Sequence, residues 1–388
     1  MDINIQKNLK NMYKLYLTCP RGLEDVLYNE TKDYIKQTIK TDNGGIILNG
    51  SLEDIYRINY KTRIGMNLHI ELFESRIFSY NDLYKSMYNF DWNKILGYKN
   101  TFSIKTKLNS DIIQKQNFAT MKSKDAIVDK IRKVTNQRPS IDKRNPDFYI
   151  FIYIKNNKLK VFLNSSGWPL FMRGYRSKIH KAALNESLAA GILQLTKWNK
   201  TDPLYDPFCG SGTFLIEALM SSFDIPPRIL RQFYAFKNWK EFDQDLWNKI
   251  IEEEKSKIKK QGIKLYGSDL IEKNIDLARE SIKKLNFQDC IIFENKNFIN
   301  VKPDENHGIF ICNPPYGYRI GEMEKLKTLY KEIGDHLKNN FQGFDSYIFT
   351  GNLDLLKSVG LRTKRKIILK NGMIDSRLAY YPLKSGKY

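Results

Sequence analysis

From residue 203 onward the chain repeats one unit: a short apolar run, a turn, then a segment with helical spacing. "PLYDPFCGSGTFLIEALM" reads as strand, glycine turn and helix. "IKLYGSDLIEKNIDLARESIKKLNF" reads as strand, acidic tip and helix. "CIIFENKNF", "GIFICNPPYG", "DSYIFTGN" and "RKIILKNGMIDSRLAYYPL" supply further strands. Parallel strands need long crossovers, and a helix in each crossover covers a face of the sheet. The repeat therefore predicts an α/β fold, a parallel sheet with helices on both faces. Ligands of such sheets bind at the carboxyl ends of the strands.

The strand tips carry the chemistry. In "DPFCGSGTFLIEA", Asp206 ends a strand, Gly210 and Gly212 form the turn, and Thr213 opens a helix. Glycine lets the backbone approach a ligand closely and take positive φ. No Lys follows, so this is no Walker loop, and it is not GxGxxG either. Such a turn suits a small zwitterion joined to a nucleoside, although alone it is equally a plain strand–helix turn. "KLYGSDL" ends in Asp269, placed to accept from ribose hydroxyls. The usual gap from the glycine turn is about 20 residues. Here it is much longer, because an aromatic segment from about residue 221 to 261 intervenes. Its Phe233, Phe236 and Trp239 read as core rather than as base-stacking rings.

"IFICNPPYGYRIG" ends a buried strand in an amide, two prolines and an aromatic ring. Pro cannot continue a central strand, so the strand stops at Asn313. The Asn313 side-chain carbonyl and the rigid Pro314 carbonyl can accept the two N–H bonds of a planar exocyclic amine. Tyr316 offers a ring for the base. Gripping both N–H bonds favours a pyramidal nitrogen and frees its lone pair for a methyl donor. Positioning and charge neutralisation then do most of the work, with no separate strong base.

The first 165 residues differ in texture. "YKLYLTC", "NGGIILNG", "TFSIKTKL", "DFYIFIYI" and "KLKVFL" read as strands. "SLEDIYRINY" begins with a Ser cap and an acidic first turn, and "SKDAIVDKIRKV" is read with Ser123 as its cap. The formal charge is +21, and residues 99–165 hold 15 Lys and Arg against 5 Asp and Glu. Lys105, Lys107, Lys124, Lys130, Arg132 and Lys133 are expected on one face of strand and helix lysines that tracks phosphates. "NSSGWPLFMRGYR" reads as a linker, with a domain boundary near residue 166 and a helix of Leu184, Leu188, Ile192 and Leu195 beyond it. In "ALNESLAA", Asn185, Glu186 or Ser187 either joins the site or caps a packing helix.

Four cysteines without CxxC spacing and four scattered histidines predict neither a zinc site nor a redox motif. No run of roughly 18 apolar residues exists, and no signal-peptide core opens the chain. The expectation is a cytoplasmic protein with no membrane partner. No heptads or apolar runs point to an obligate protein partner.

"DPFCGSGT" followed by "NPPYG" resembles the class I S-adenosylmethionine-dependent amino-methyltransferases. "TCPRGLEDVLYNE", "NSSGWPLFMRGYR", "KAALNESLAA" and "LKNGMIDSRLAYY" narrow the resemblance to bacterial THUMP-domain RNA methyltransferases related to the 23S rRNA guanine-N2 methyltransferase. The resemblance covers nearly the whole chain. It implies a ferredoxin-like subdomain over residues 1–58, a THUMP RNA-binding domain over 59–165, and a linker plus Rossmann-like catalytic domain over 166–388. S-adenosyl-L-methionine is the implied cofactor, with Asp206, Phe208, Gly210, Gly212, Thr213, Asp269, Leu270, Asn297, Phe298 and Asn313 around it. Asn313, Pro314, Pro315 and Tyr316 are implied to hold the target base. Two positions depart from the family. "ENKNF" has Asn297 where an adenine-binding Asp is expected, and Tyr318 stands where relatives often have Glu. Arg319 remains to pair with phosphate. The implied substrate is guanine N2 in 23S rRNA or its precursor. A tRNA guanine, an adenine-N6 amine and a non-enzymatic RNA assembly role stay open.

Overall fold

The computed structural model describes residues 12–176, 184–317 and 323–383. Its N-terminal half is built from β1 (Tyr13–Thr18), α1 (Glu24–Lys32), β2 (Ile39–Asp42), β3 (Gly45–Gly50), α2 (Leu52–Lys61) and β4 (Asn67–Arg76). α3 (Tyr80–Asn89), β5 (Thr101–Asn109), α4 (Gln116–Thr135), β6 (Ser140–Ile141), β7 (Phe148–Lys155) and β8 (Lys158–Asn164) complete it. All eight strands form one sheet in the order β2-β3-β1-β4-β8-β7-β5-β6. β4 belongs to both parts. Asn67–Ile70 pair with β1, and His69–Arg76 pair with β8 across a bulge between Glu71 and Phe73.

Local signals set the helix ends. Ser51 caps α2: its hydroxyl accepts from Asp54 N, and the Asp54 carboxylate accepts from Ser51 N at 2.8 Å. Ser123 does not cap α4, contrary to the sequence reading. The helix starts seven residues earlier at Gln116, and Ser123 lies buried in its interior. Ala119, Ala126 and Ile127 share its buried side. That stripe extends past Ser123 toward the N-terminus, and burial of the stripe outweighs the local cap signal.

The C-terminal half contains α5 (Glu186–Leu195), β9 (Leu204–Asp206), α6 (Thr213–Ser222), α7 (Gln244–Lys255), β10 (Leu265–Asp269), α8 (Glu272–Lys284) and β11 (Ile292–Asn295). β12 (Gly308–Cys312), α9 (Met323–Asn340), β13 (Phe344–Thr350), α10 (Leu353–Ser358), β14 (Arg365–Asn371) and β15 (Ile374–Pro382) follow. The sheet order is β11-β10-β9-β12-β13-β15-β14. β9 to β13 run parallel, as the repeat predicts. β15 enters antiparallel between β13 and β14, so the sheet is mixed. The chain runs outward from β9 through β10 to β11, then returns to place β12 beside β9. That reversal makes the crevice between the tips of β9 and β12 the topological switch point.

Among the described residues one hydrophobic cluster spans both halves, and two further clusters fill the rest of the N-terminal sheet and the other face of the C-terminal sheet. The shared cluster runs from Leu15, Ile55 and Ile58 through Leu188 and Trp247 to Ile309 and Leu378. The intervening aromatic segment is the glue. Tyr56 and Tyr60 of α2 meet the Trp247 ring edge-on at 5.7 and 5.6 Å, and Tyr56 packs on Phe236 at 4.7 Å. Phe236 and Trp247 are buried, each stabilising the interface by about 2–3 kcal/mol of apolar burial. Phe233 and Trp239 are only partly buried. Around this core Arg57 bridges Glu53, Glu253 and Glu254. The stretch read as a linker is also packed rather than free: Arg231 donates to the carbonyls of Ser166, Trp168 and Pro169. Among the described residues, no helix is long and apolar enough to cross a membrane.

Candidate active site

Asp206 ends β9 and is fully buried. Its Oδ1 accepts from Phe208 N at 3.2 Å, and burial, with Asp269 adding to it, pushes its pKa well above the usual carboxylate range. The turn that follows uses two left-handed glycines, Gly210 at φ +53° and Gly212 at φ +78°. They serve different ends. A Cβ on Gly212 would lie 2.8 Å from the Phe293 ring, so the packing needs glycine there. A Cβ on Gly210 would meet nothing within 4 Å, so the space beside this turn is open.

Asp269, at the tip of β10, is largely engaged by the protein. Oδ2 accepts from Gly210 N at 3.0 Å, and Oδ1 accepts from Ile271 N at 2.9 Å and Asn274 Nδ2 at 3.0 Å. It holds the glycine turn against the neighbouring strand. A carboxylate has about four acceptor positions, so one on Oδ2 remains for a ligand hydroxyl.

β12 is buried along its whole length and is followed at once by Asn313. Phe310 pairs with Tyr205, which sets Asn313 about level with Phe208 across the switch point. Its Oδ1 is shielded from solvent and accepts no hydrogen bond from any described residue. A buried acceptor without a donor costs about 1–3 kcal/mol, so the structure keeps this one at a price a ligand N–H would remove. Pro314 is buried and Pro315 exposed. The Tyr316 ring abuts Gly351, where a Cβ would come within 2.7 Å of the ring. Its hydroxyl accepts from Asn371 Nδ2 at 3.0 Å.

The structure thus brings Asp206, Phe208, Gly210, Gly212, Thr213, Asp269 and Asn313 to one edge of the sheet. Leu270 stands at the rim, 71 % exposed. Phe298 is buried and packs on Phe208 with ring centroids 5.0 Å apart. Asn297 uses its side-chain carbonyl to cap a short turn, accepting from Ile299 N at 3.2 Å. Tyr318 and Arg319 lie outside the described residues.

Three groups escaped the sequence reading. Asn371 and Gly351 reach Tyr316 from remote strands. Arg176 donates to the Thr213 hydroxyl and to Leu184 O, and pairs with Glu186 at 3.3 Å. The "MRGYR" run held the last of these, but no spacing ties it to the glycine turn. Asn185 caps α5 by accepting from Leu188 N at 3.1 Å, and Ser187 donates to Gly65 O, so both are packing residues.

The expected single basic face is two faces. Phe102, Ile104 and Leu108 of β5 lie in or against the core under α4, and Thr106 bonds Thr120 of that helix at 2.8 Å. Strand alternation then turns Lys105 and Lys107 to the opposite side of the sheet, where both are exposed. Lys124, Lys130, Arg132 and Lys133 ride on α4 itself. Lys124 pairs with Asp125, Arg132 with Asp129, and Lys130 lies 5.7 Å from the Tyr88 ring centre.

The class comes from comparison with known proteins. The family described as "RMKL-like, methyltransferase domain" matches residues 173–379. The THUMP domain matches residues 79–164, and the RlmL ferredoxin-like domain matches 14–66. The chain belongs to the RMKL-like methyltransferase family, within the class of S-adenosylmethionine-dependent RNA methyltransferases. It is 34 % identical over 369 residues to slr0064 of Synechocystis sp., assigned as an RNA methyltransferase, covering 95 % of this chain and 96 % of that one. It is 32 % identical to the ribosomal RNA large subunit methyltransferase K/L of Shewanella frigidimarina, covering 96 % of this chain. The chain spans about half of that relative, 53 % of its length. Among solved structures, SMU.472 in complex with SAH has a TM-score of 0.87 at 25 % identity, covering 98 % of this chain and 100 % of that one. A methylase from Clostridium difficile 630 has a TM-score of 0.87 at 28 % identity, covering 97 % and 100 %.

Proposed function

We propose that this protein transfers a methyl group from S-adenosylmethionine to the exocyclic N2 amine of a guanine in 23S rRNA. The observation that carries the reading is the buried Oδ1 of Asn313, which has no donor among the described residues, at the same sheet edge as the open space beside Gly210. The THUMP domain and the large-subunit rRNA methyltransferase relatives support RNA as substrate. The choice of guanine N2 follows the motif resemblance described above.

The cofactor supplies an electrophilic methyl group on a sulfonium. Gly210 leaves room for its methionine part against the backbone. Asp206 stands beside that room, and an ammonium group there would restore the charge that burial disfavours. Asp269 offers its remaining acceptor position to a ribose hydroxyl. Across the crevice Asn313 Oδ1 accepts one amine N–H and the Pro314 carbonyl the other. Both acceptors are fixed by β12 and the proline pair, so they need no reorganisation as positive charge develops on nitrogen. Tyr316, held by Asn371 and Gly351, forms the wall against which the base lies.

The test is methyl transfer from labelled S-adenosylmethionine to unmodified 23S rRNA, 16S rRNA and tRNA, followed by digestion and identification of the nucleoside. The expected product is N2-methylguanosine in 23S rRNA. Asn313→Ala should lower transfer by about 100-fold or more, as for loss of one preorganised polar group at a reacting centre, and should still bind S-adenosylhomocysteine. N6-methyladenosine would overturn the base assignment, and label confined to tRNA would overturn the substrate. No transfer to any RNA would overturn the enzymatic reading.

A further inference from the structure

The end of the seven-stranded sheet carries a feature that methyl transfer itself does not use. β14 and β15 pair from Arg365–Tyr380 to Asn371–Ile374, which leaves Gly372 and Met373 as a two-residue turn. Gly372 has φ +62° and Met373 lies outside the left-handed region, the pattern of a type II′ turn with glycine first. Such turns match the strand twist and are rigid. Turn positions favour Gly, Asn, Asp and Ser, yet the apex here is a methionine. Met373 is 93 % exposed, the highest value for a large apolar side chain among the described residues. It contributes nothing to the core.

This turn is fastened to the amine site on both flanks. Asn371, before it, donates to the Tyr316 hydroxyl at 3.0 Å. Ile374, after it, meets the same glycine as the Tyr316 ring: a Cβ on Gly351 would be 2.7 Å from each. Met373 is therefore the exposed apex of a turn whose flanks are anchored beside Tyr316. The segment before it carries Arg362 and Lys364, and β14 itself carries Arg365, Lys366 and Lys370, with no acidic residue from 355 to 374. Asp375 then pairs with Lys370 at 3.2 Å.

Asn313 Oδ1 is recessed from solvent, so a base stacked within a helix cannot reach it. The base must be turned out, and the vacated stack must be filled or left open. Apolar side chains, Met among them, are inserted between base steps in other nucleic-acid complexes and partly unstack them. We propose that Met373 is an unstacking wedge: it enters the RNA stack where the target nucleotide leaves, while the basic strand β14 contacts the flanking phosphates. This rests on the RNA reading above.

The experiment uses the full chain and full-length 23S rRNA transcripts, after the labelled nucleotide has been mapped with the wild type. One transcript keeps the target opposite a Watson–Crick partner. The other places a mismatch opposite it, so that extrusion is already favoured. Met373→Ala should slow transfer about tenfold on the paired transcript and about twofold at most on the mismatched one, because unstacking is cheapest for an unpaired base. Met373→Leu, which keeps an apolar wedge, should restore most of the rate. Equal loss on both transcripts would overturn the wedge in favour of a general contact, and no loss on either would overturn it outright. If the wild type methylates no transcript, the RNA reading falls and the wedge with it, so the two failures are distinguishable.

Discussion

Asn371 lies 55 residues beyond Tyr316 and donates its side-chain amide to the Tyr316 hydroxyl at 3.0 Å. The bond ties the proposed wall of the amine site to a hairpin on the far edge of the sheet. Asn371→Ala removes it and leaves the ring free to tilt. A hydrogen bond of this kind is worth about 0.5–1.5 kcal/mol net, so kcat should fall roughly 3- to 10-fold while S-adenosylhomocysteine affinity stays unchanged. Steady-state kinetics with a calorimetric titration read both. A loss in cofactor affinity instead would place Tyr316 on the cofactor side of the crevice.

The two turn glycines should separate on substitution. Gly212→Ala puts a methyl into the Phe293 ring at a left-handed position, which should cost about 1–3 kcal/mol of stability. Gly210→Ala meets open space and carries only the backbone strain, about 1–2 kcal/mol. Its methyl occupies that space, so it should lose S-adenosylhomocysteine binding while remaining folded. Urea unfolding and a ligand-induced thermal shift decide the matter. A Gly210→Ala protein that binds normally would remove that space from the site.

Arg173 and Glu217 form an ion pair at 3.2 Å with both side chains essentially inaccessible. Arg173 also donates to Leu170 O and Arg63 O, joining the stretch after β8 to α6. Glu217→Ala strands a buried guanidinium and should cost about 3–5 kcal/mol in urea unfolding. Replacing both residues together with Met and Leu should cost less than the single change. A single change that is neutral would show that the guanidinium finds water.

Stability should fall in acid partly through His69. Burial lowers its pKa from 6.5 to about 3, and Lys105 on the same side of the sheet adds to the shift. The unfolded chain takes up a proton near pH 6.5 that the folded chain refuses. The contribution is therefore fully present above about pH 6.5 and is lost as pH falls toward 3, at about 1.4 kcal/mol per unit. Between pH 7 and 5 the wild type should lose about 2 kcal/mol more than His69→Gln. Equal losses would mean that His69 protonates within the fold.

What could be read from sequence was local. The glycine turn, the NPPY tip and the Ser51–Asp54 capping box each lie within a few residues, where backbone chemistry dictates the outcome. Ser123 misled because a Ser near acidic residues resembles a cap, while the stripe through Ala119 that starts α4 earlier is a packing signal. Lys105 and Lys107 were assigned by charge, yet the alternation of Phe102, Ile104 and Thr106 already turned them away from the helix. The Asn371–Tyr316 contact was not legible. It depends on β15 entering antiparallel beside β13, which brings residues from opposite ends of the domain together without any local trace.

β4 pairs with β1 through one end and with β8 through the other. A strand used this way cannot serve as a joint, since swinging the part built around β1 against the part built around β8 would tear a ladder. The interface of α2 with the aromatic segment braces the same frame from below. The reach from α4 to Asn313 is therefore settled once, when the chain folds, and works as a gauge of fixed length. On the reading proposed above, an RNA that touched both ends would bring the right nucleotide to the crevice by its own shape.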